Sequence, residues 1–280
     1  MSEGNTLYIS DLDGTLLNSD SELSEHTKNV LNRLIAGGLH FSVATGRATD
    51  AAQRILSGVD INIPIASFNG AVLYDLRQNS YVKAFWLAPE ATEKIIAILK
   101  AHGLSWLVYE LKDDGLTAFY DSLEHKPLYD FVEDRRARYH SAFSRLERLS
   151  DLSLSHIMYF TLIDKHERIK PACDALKAIP DINFAVADTY NNGYWWLEIF
   201  SAEASKENAV RFLREAYGYK RVIGFGDNYN DLPMFRVCDV RVAVQNAPDK
   251  IKAAADFVCG SHDAHGVAGW IINNYGKCQH

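Results

Sequence analysis

No run in this chain approaches 18 uninterrupted apolar residues, so it contains no stretch with the length and character of a membrane-spanning helix. A surplus of basic charge is missing as well. With 29 Lys and Arg against 36 Asp and Glu, the formal charge is -7, which argues against a broad nucleic-acid or anionic-membrane face and leaves room for a local cationic pocket. Cys173, Cys238, Cys259 and Cys278 form no C-x-x-C pair, which points away from a zinc site or disulfide framework and toward reduced, structural thiols. The opening Met1-Ser2-Glu3-Gly4-Asn5-Thr6 has neither the basic nor the apolar region of a secretory leader, so a cytoplasmic location is expected. Internal repeats and low-complexity tracts are lacking too.

What is present is ordinary globular material: 280 residues, 48% hydrophobic and 23% charged, long enough for two domains with a sizeable core. One stretch stands apart. Leu7-Tyr8-Ile9-Ser10 reads as a buried strand, yet it runs straight into Asp11-Leu12-Asp13-Gly14-Thr15, two carboxylates one residue apart. Like charges at a strand end resist leaving water unless a cation or a shared proton compensates them. Gly14 allows a sharp turn that keeps both side chains aimed into one crevice. Asp-Gly is also a common surface turn pair, so the partners supplied elsewhere decide between a turn and a site.

The chain continues in a strand-helix rhythm. Ser24 is placed as an N-cap before a helix carrying Val30, Leu31, Leu34 and Ile35, and Leu39 to Ala44 is a strand ending at Thr45-Gly46-Arg47. A third strand, Ile63 to Ser67, ends at Phe68-Asn69-Gly70-Ala71, and a hairpin-like passage follows. This alternation predicts βαβ units and a mostly parallel sheet. From about residue 84 the pattern becomes helix, then hairpin, with a turn at Asp113-Asp114-Gly115, and then a basic helical stretch from Tyr129 to Leu149. With further strands over His156–Ile163, Ile182–Ala187 and Trp195–Phe200, it reads as an inserted α+β domain with helices on one side of an antiparallel sheet. Alternation would point Trp195 and Trp196 to opposite faces. The arginines of Arg135 to Arg148 read as a solvated helix face. The parallel rhythm returns at Ser205, an N-cap with Lys206 in the first helical turn, and Arg221 to Gly226 is a strand ending at Asp227-Asn228-Tyr229-Asn230-Asp231.

In open parallel sheets, ligands bind outside the carboxyl ends of the strands, so residues directly after each strand should converge. Here those residues are Asp11 and Asp13, Thr45 and Gly46, Asn69, and Asp227 with Asp231, joined by Lys206 from a helix start. Four carboxylates in one crevice call for a divalent cation, and an all-oxygen set favours Mg²⁺ over zinc. A lysine, a hydroxyl and turn amides suit a phosphate. Metal, phosphate cradle and aspartate together suggest phosphoryl transfer.

Asp11-Leu12-Asp13-Gly14-Thr15, Thr45-Gly46-Arg47, Lys206 and Gly226-Asp227-x-x-x-Asp231 resemble, in order, the four motifs of the haloacid dehalogenase-like hydrolase superfamily. Asn69-Gly70, Asn230 to Met234, Asn246-Ala247-Pro248 and His265 to Ala268 are similar to its Cof-like phosphatase branch. The resemblance implies an α/β fold: a Rossmann-like, mostly parallel core over residues 1–83 and 189–280, with a C2-type α+β cap over 84–188 that sets substrate specificity. It makes Asp11 the nucleophile that forms an aspartyl-phosphate, and Asp13 the acid that protonates the leaving group and then the base that activates water. Leu12, Thr45, Gly46, Lys206 and Asn230 would bind the phosphoryl group. Asp11, Asp227, Asp231 and the Asp13 carbonyl would serve Mg²⁺, with Asp231 holding a water on the metal or orienting Lys206. Arg47, Asn69, Gly70 and Asn228 are candidate substrate contacts. The partner implied is a small phosphorylated metabolite, a sugar phosphate first and a phosphorylated cofactor such as pyridoxal phosphate or a flavin nucleotide next, with no nucleic acid or membrane. The protein itself is expected to be a monomer or weak homo-oligomer. A phosphomannomutase-like phosphomutase and a non-catalytic ligand-binding protein are the alternatives.

Overall fold

The computed structural model describes residues 5–112, 115–188 and 193–275. Asp113 and Asp114 of the expected hairpin turn, and Cys278, lie outside the described residues. The chain divides into two compact units, Met1–Lys83 with Ser205–His280, and Ala84–Ala204.

In the first unit, β1 (Thr6–Ser10) is the middle of the sheet, parallel to β2 (His40–Val43) on one side and to β12 (Arg221–Gly226) on the other. β13 (Val240–Val244) and β14 (Phe257–Cys259) extend it, giving the order β14-β13-β12-β1-β2 with parallel pairing throughout. These strands are apolar on both faces because helices cover both sides of such a sheet. Leu7, Ile9, Phe41, Val43, Val222, Ile223, Phe225 and Val242 are all fully buried. The expected N-caps hold. Ser24 Oγ accepts from the Thr27 amide at the start of α1 (Glu25–Ala36), and Ser205 Oγ accepts from the Asn208 amide at the start of α6 (Lys206–Ala216). α2 (Thr49–Ile55), α7 (Leu232–Phe235), α8 (Asp249–Ala254) and α9 (Gly266–Asn274) complete this unit.

The third expected strand keeps only a single parallel bridge to the main sheet. β3 (Ile65–Ser67) pairs antiparallel with β4 (Val72–Asp75) in a small sheet that also holds β5 (Ser80–Ala84), and it meets the parallel sheet through the bridge Ala44–Ala66. It is only three residues long and enters a left-handed turn that reverses the chain.

The second unit is built on a six-stranded sheet of order β10-β11-β9-β6-β7-β8: β6 (Leu107–Lys112), β7 (Gly115–Tyr120), β8 (Phe143–Arg145), β9 (Ile157–Lys165), β10 (Ile182–Asp188) and β11 (Tyr194–Ser201). β11 pairs antiparallel with both β9 and β10, so the chain re-enters the first unit at Ser205 and not at residue 189. Leu197 and Ile199 of β11 are fully buried in the cluster made by α3 (Pro89–Ala101) and α5 (His166–Leu176), which fixes the strand in this sheet. The basic helix is shorter than its composition suggests. α4 spans Lys126–Tyr139 and ends at His140 in left-handed conformation (φ 56°), after which Arg136 donates to the Phe143 carbonyl and β8 begins. Helices occupy both faces of this sheet. Trp195 packs against the α3–α5 cluster, whereas Trp196 meets Phe131 of α4 edge-on at 5.1 Å, the opposite orientation that strand alternation demands. Among the described residues no helix is long and apolar enough to cross a membrane.

Candidate active site

The site lies in the first unit, where β1 and β12 run side by side and end together. Register sets this arrangement: Ser10 pairs with Phe225, and the Asp11 amide donates to the Phe225 carbonyl, so Asp11 and Asp227 leave adjacent strand ends. Lys206 comes from the first turn of α6 and is 2% exposed. Its ammonium donates to Asp11 Oδ1 at 2.5 Å and to Asp231 Oδ1 at 2.7 Å. An unpaired ammonium this deep would be untenable, and two carboxylates supply its partners. Asp231 is fully buried and committed on both sides, since its Oδ2 accepts from the amides of Asp227 (2.9 Å) and Asn228 (3.1 Å). It therefore ties the loop after β12 to the lysine.

Three carboxylates now face one ammonium. Ligand atoms of Asp11, Asp227 and Asp231 all lie within 4.8 Å of one another. Burial, opposed by Lys206 and reinforced by Asp231 and Asp227, pushes Asp11 well above the usual carboxylate range. Burial, with Asp231 adding to it, pushes Asp227 up to about 6. Burial works against the charge on Lys206, but Asp11 and Asp231 outweigh it and hold the ammonium above its usual range. The surplus negative charge and the all-oxygen donor set fit a hard divalent cation. Gly14 is shaped to this cluster: at φ 75° it is left-handed, and a Cβ there would lie 2.6 Å from Asp227 Oδ2.

The other sequence-derived residues fall into distinct places. Asp13 is exposed, and Arg47 holds it in a fork, Nε to Oδ2 at 2.8 Å and Nη2 to Oδ1 at 2.6 Å. Thr45 is fully buried, with its Oγ1 accepting from the Arg47 amide, and Leu12 is buried beside Asp11. Gly46 and Asn69 are neighbours, because a Cβ on Gly46 would lie 3.1 Å from Asn69 Oδ1. Gly70 abuts the start of α6. Asn228 caps its own turn, with Oδ1 accepting from the Tyr229 amide, while Asn230 is exposed in the turn Tyr229–Asp231. Two residues gain roles that the sequence reading did not assign. Thr15 Oγ1 donates to Asp227 Oδ1 at 3.0 Å, and Asn246 Nδ2 donates to the Gly14 carbonyl at 2.7 Å. Asn246 follows β13, so the strand-end rule could have found it.

A family model described as haloacid dehalogenase-like hydrolase matches residues 8–271. The chain belongs to the haloacid dehalogenase-like hydrolase family. Among relatives, it is 29% identical to the 5-amino-6-(5-phospho-D-ribitylamino)uracil phosphatase YwtE of Bacillus subtilis, over 93% of this chain and 95% of that one. It is 22% identical to the pyridoxal phosphate phosphatase YbhA of Escherichia coli, over 94% and 96%. A solved haloacid dehalogenase-like hydrolase from Bacteroides thetaiotaomicron superposes with a TM-score of 0.81 at 25% identity, covering 96% of this chain and 99% of that one. Within the haloacid dehalogenase-like hydrolases, the chain is thus an enzyme of the phosphatase type.

Proposed function

We propose that this hydrolase removes phosphate from a small phosphorylated metabolite, most simply one whose phosphate sits on a sugar or sugar-alcohol carbon, through an aspartyl-phosphate on Asp11. The observation that carries the reading is the buried Lys206 ammonium bridging Asp11 and Asp231. Lys206 neutralises the approach of one anion to another and fixes the attacking oxygen. The ribityl phosphate for which YwtE is named supports the sugar-alcohol class, and the name of YbhA supports pyridoxal phosphate as the next class.

In this mechanism a carboxylate oxygen of Asp11 attacks phosphorus and the ester P–O bond breaks. Asp13 leaves its fork with Arg47, takes up a proton from solvent as substrate binds, and gives that proton to the departing alkoxide. A water then attacks the phosphorus, Asp13 takes its proton, and inorganic phosphate leaves with Asp11 regenerated. Thr45, the Gly46 amide, Lys206 and Asn230 supply donors to the phosphoryl oxygens. Asp11, Asp227 and the Asp13 carbonyl would hold Mg²⁺, which when bound supplies charge neutralisation at the phosphoryl group. Asp231, committed to Lys206 and two amides, would act by orienting the lysine and the loop that carries Asp227. Selection of the leaving group is assigned to the unit Ala84–Ala204, as the C2-type cap resemblance implies. The free thiols of Cys173, Cys238 and Cys259 support a reducing, cytoplasmic setting.

The test is phosphate release from a panel of phosphorylated metabolites in Mg²⁺, with Asp11→Asn beside the wild type. Wild-type turnover on sugar or sugar-alcohol phosphates, abolished in a folded Asp11→Asn variant, is expected. Substantial activity surviving Asp11→Asn would overturn the nucleophile assignment.

A further inference from the structure

Between the Thr45–Gly46–Arg47 loop and the helix that carries Lys206 stands a short turn of unusual backbone. Phe68, Asn69 and Gly70 are left-handed in succession, with φ of 51°, 54° and 93°. Gly adopts this region readily and Asn tolerates it, but Phe does not, so the conformation is imposed from outside the turn. The imposing bonds are plain. The Phe68 amide donates to the Arg47 carbonyl at 2.9 Å, the Asn69 amide to the Thr45 carbonyl at 2.9 Å, and the Ala71 amide closes the turn onto the Phe68 carbonyl. Phe68 is itself buried, 3% exposed, which pins the turn from its other side.

The far end of the turn meets α6. A Cβ on Gly70 would overlap the Ser205 carbonyl oxygen and lie 2.5 Å from its carbon and 3.0 Å from the Lys206 nitrogen. Ser205 is the N-cap of α6, so the backbone of Gly70 packs directly on the peptide that launches Lys206. One face of the turn is thus bonded to the loop bearing Thr45 and Gly46, and the other rests on the backbone of Lys206.

We infer that Phe68-Asn69-Gly70 is a spacer that sets the separation between the two donor groups of the phosphate cradle, and that Gly70 is a positioning residue for Lys206 and not a substrate contact. The inference rests on the proposed phosphatase function. A spacer of this kind needs no side chain at Gly70, and at Asn69 it needs only a residue content with positive φ. Strain retained at a site by surrounding bonds is the expected mark of such a part. Because the lysine is held by two short bonds to Asp11 and Asp231, a small shift of its backbone is passed to the attacking oxygen.

The test compares Gly70→Ala, Asn69→Gly and Asn69→Ala, each measured for kcat and KM on p-nitrophenyl phosphate and on a sugar phosphate, with crystal structures of the Gly70 variant and the wild type. Gly70→Ala should lower kcat by about 100-fold, the scale of a misplacement near 1 Å. The loss should be equal on both substrates with KM little changed, and Lys206 Nζ should move from Asp11 by more than about 0.5 Å, the tolerance of a productive constellation. Asn69→Gly should keep kcat within a few-fold and Asn69→Ala should lose more. Losses that differ between the two substrates, or Asn69→Gly as damaged as Asn69→Ala, would make these residues substrate contacts and overturn the inference. An unmoved Lys206 in Gly70→Ala would do the same. A wild type inert toward every ester refutes the function instead, and the position of Lys206 in Gly70→Ala still decides the spacer. Should Gly70→Ala fail to fold, the Asn69 pair decides it alone.

Discussion

Asp227→Asn should make the metal-free protein more stable while destroying its activity. The folded protein holds this carboxyl at about 6, against an ordinary value of 3.8, because burial and Asp231 outweigh the Thr15 hydrogen bond and Lys206. Between those two values the folded chain binds the proton better than the unfolded chain does. Stability therefore falls as pH rises through that window, and the whole penalty is present above it. The gap corresponds to about 3 kcal/mol, which partial exposure of the side chain reduces to about 2 kcal/mol. Asparagine removes the charge but keeps a carbonyl oxygen for Thr15, which now donates at 3.0 Å. Thermal unfolding in EDTA should give the variant a Tm higher by about 4–8 °C at pH 8, and a much smaller difference at pH 4, where the wild-type carboxyl is protonated. Added Mg²⁺ should then raise the wild-type Tm and move the variant far less, since a ligand stabilises only the state that binds it. A variant no more stable than wild type at pH 8 in EDTA would refute the argument that this cluster carries uncompensated charge.

Three further outcomes follow from the same geometry. Asp231→Ala should cost about 3 kcal/mol or more in urea unfolding, because it strands two loop amides and half the pairing of Lys206, whereas Asp231→Asn should cost less. Asp13→Ala should slow hydrolysis of sugar phosphates far more than that of p-nitrophenyl phosphate, whose leaving group needs no proton; an equal loss on both would remove Asp13 from the acid role. Asp11→Asn should bind Mg²⁺ more weakly than wild type by calorimetry while retaining the wild-type circular dichroism spectrum.

Much of the site was legible because its logic is local. A strand that ends in charge is readable from a few residues, and the rule that parallel strands deliver their ligands at one edge collects Asp11, Asp227, Asp231 and Lys206 from opposite ends of the chain. What escaped was a boundary and the choice of some partners. Trp195–Phe200 reads with the antiparallel strands of the insert, and its pairing with β9 and β10 agrees, but alternation does not show where the chain changes unit, so the boundary drawn at 188 falls short of Ala204. The run after Tyr139 has the composition of a helix, but the stop is a single left-handed residue, His140, and the strand beyond it is held by pairing with β7. Ile65–Ser67 has the apolar character of a parallel strand, and its fate was decided by the turn that follows. Gly14 reads as a turn residue and Thr15 carries no role of its own, because their reason, the Asp227 carboxylate, lies 212 positions away from Thr15 along the chain. Arg47 is only a candidate substrate contact in the sequence, and its pairing with Asp13 lies across 34 residues, beyond the reach of local pattern.

The place of β1 also governs the order in which the protein can be made. Its two neighbours in the sheet are β2, which follows within a few dozen residues, and β12, which begins at Arg221. As the chain leaves the ribosome from its N-terminus, the Leu7–Ser10 edge waits unpaired for most of synthesis, an apolar edge open to wrong partners. The stretch Ala84–Ala204 is contiguous and closes its own sheet, so it can be complete while the first unit is still half-built. Assembly of the catalytic cluster is consequently one of the last events of biosynthesis, since Asp11 meets Lys206, Asp227 and Asp231 only after the C-terminal segment has emerged.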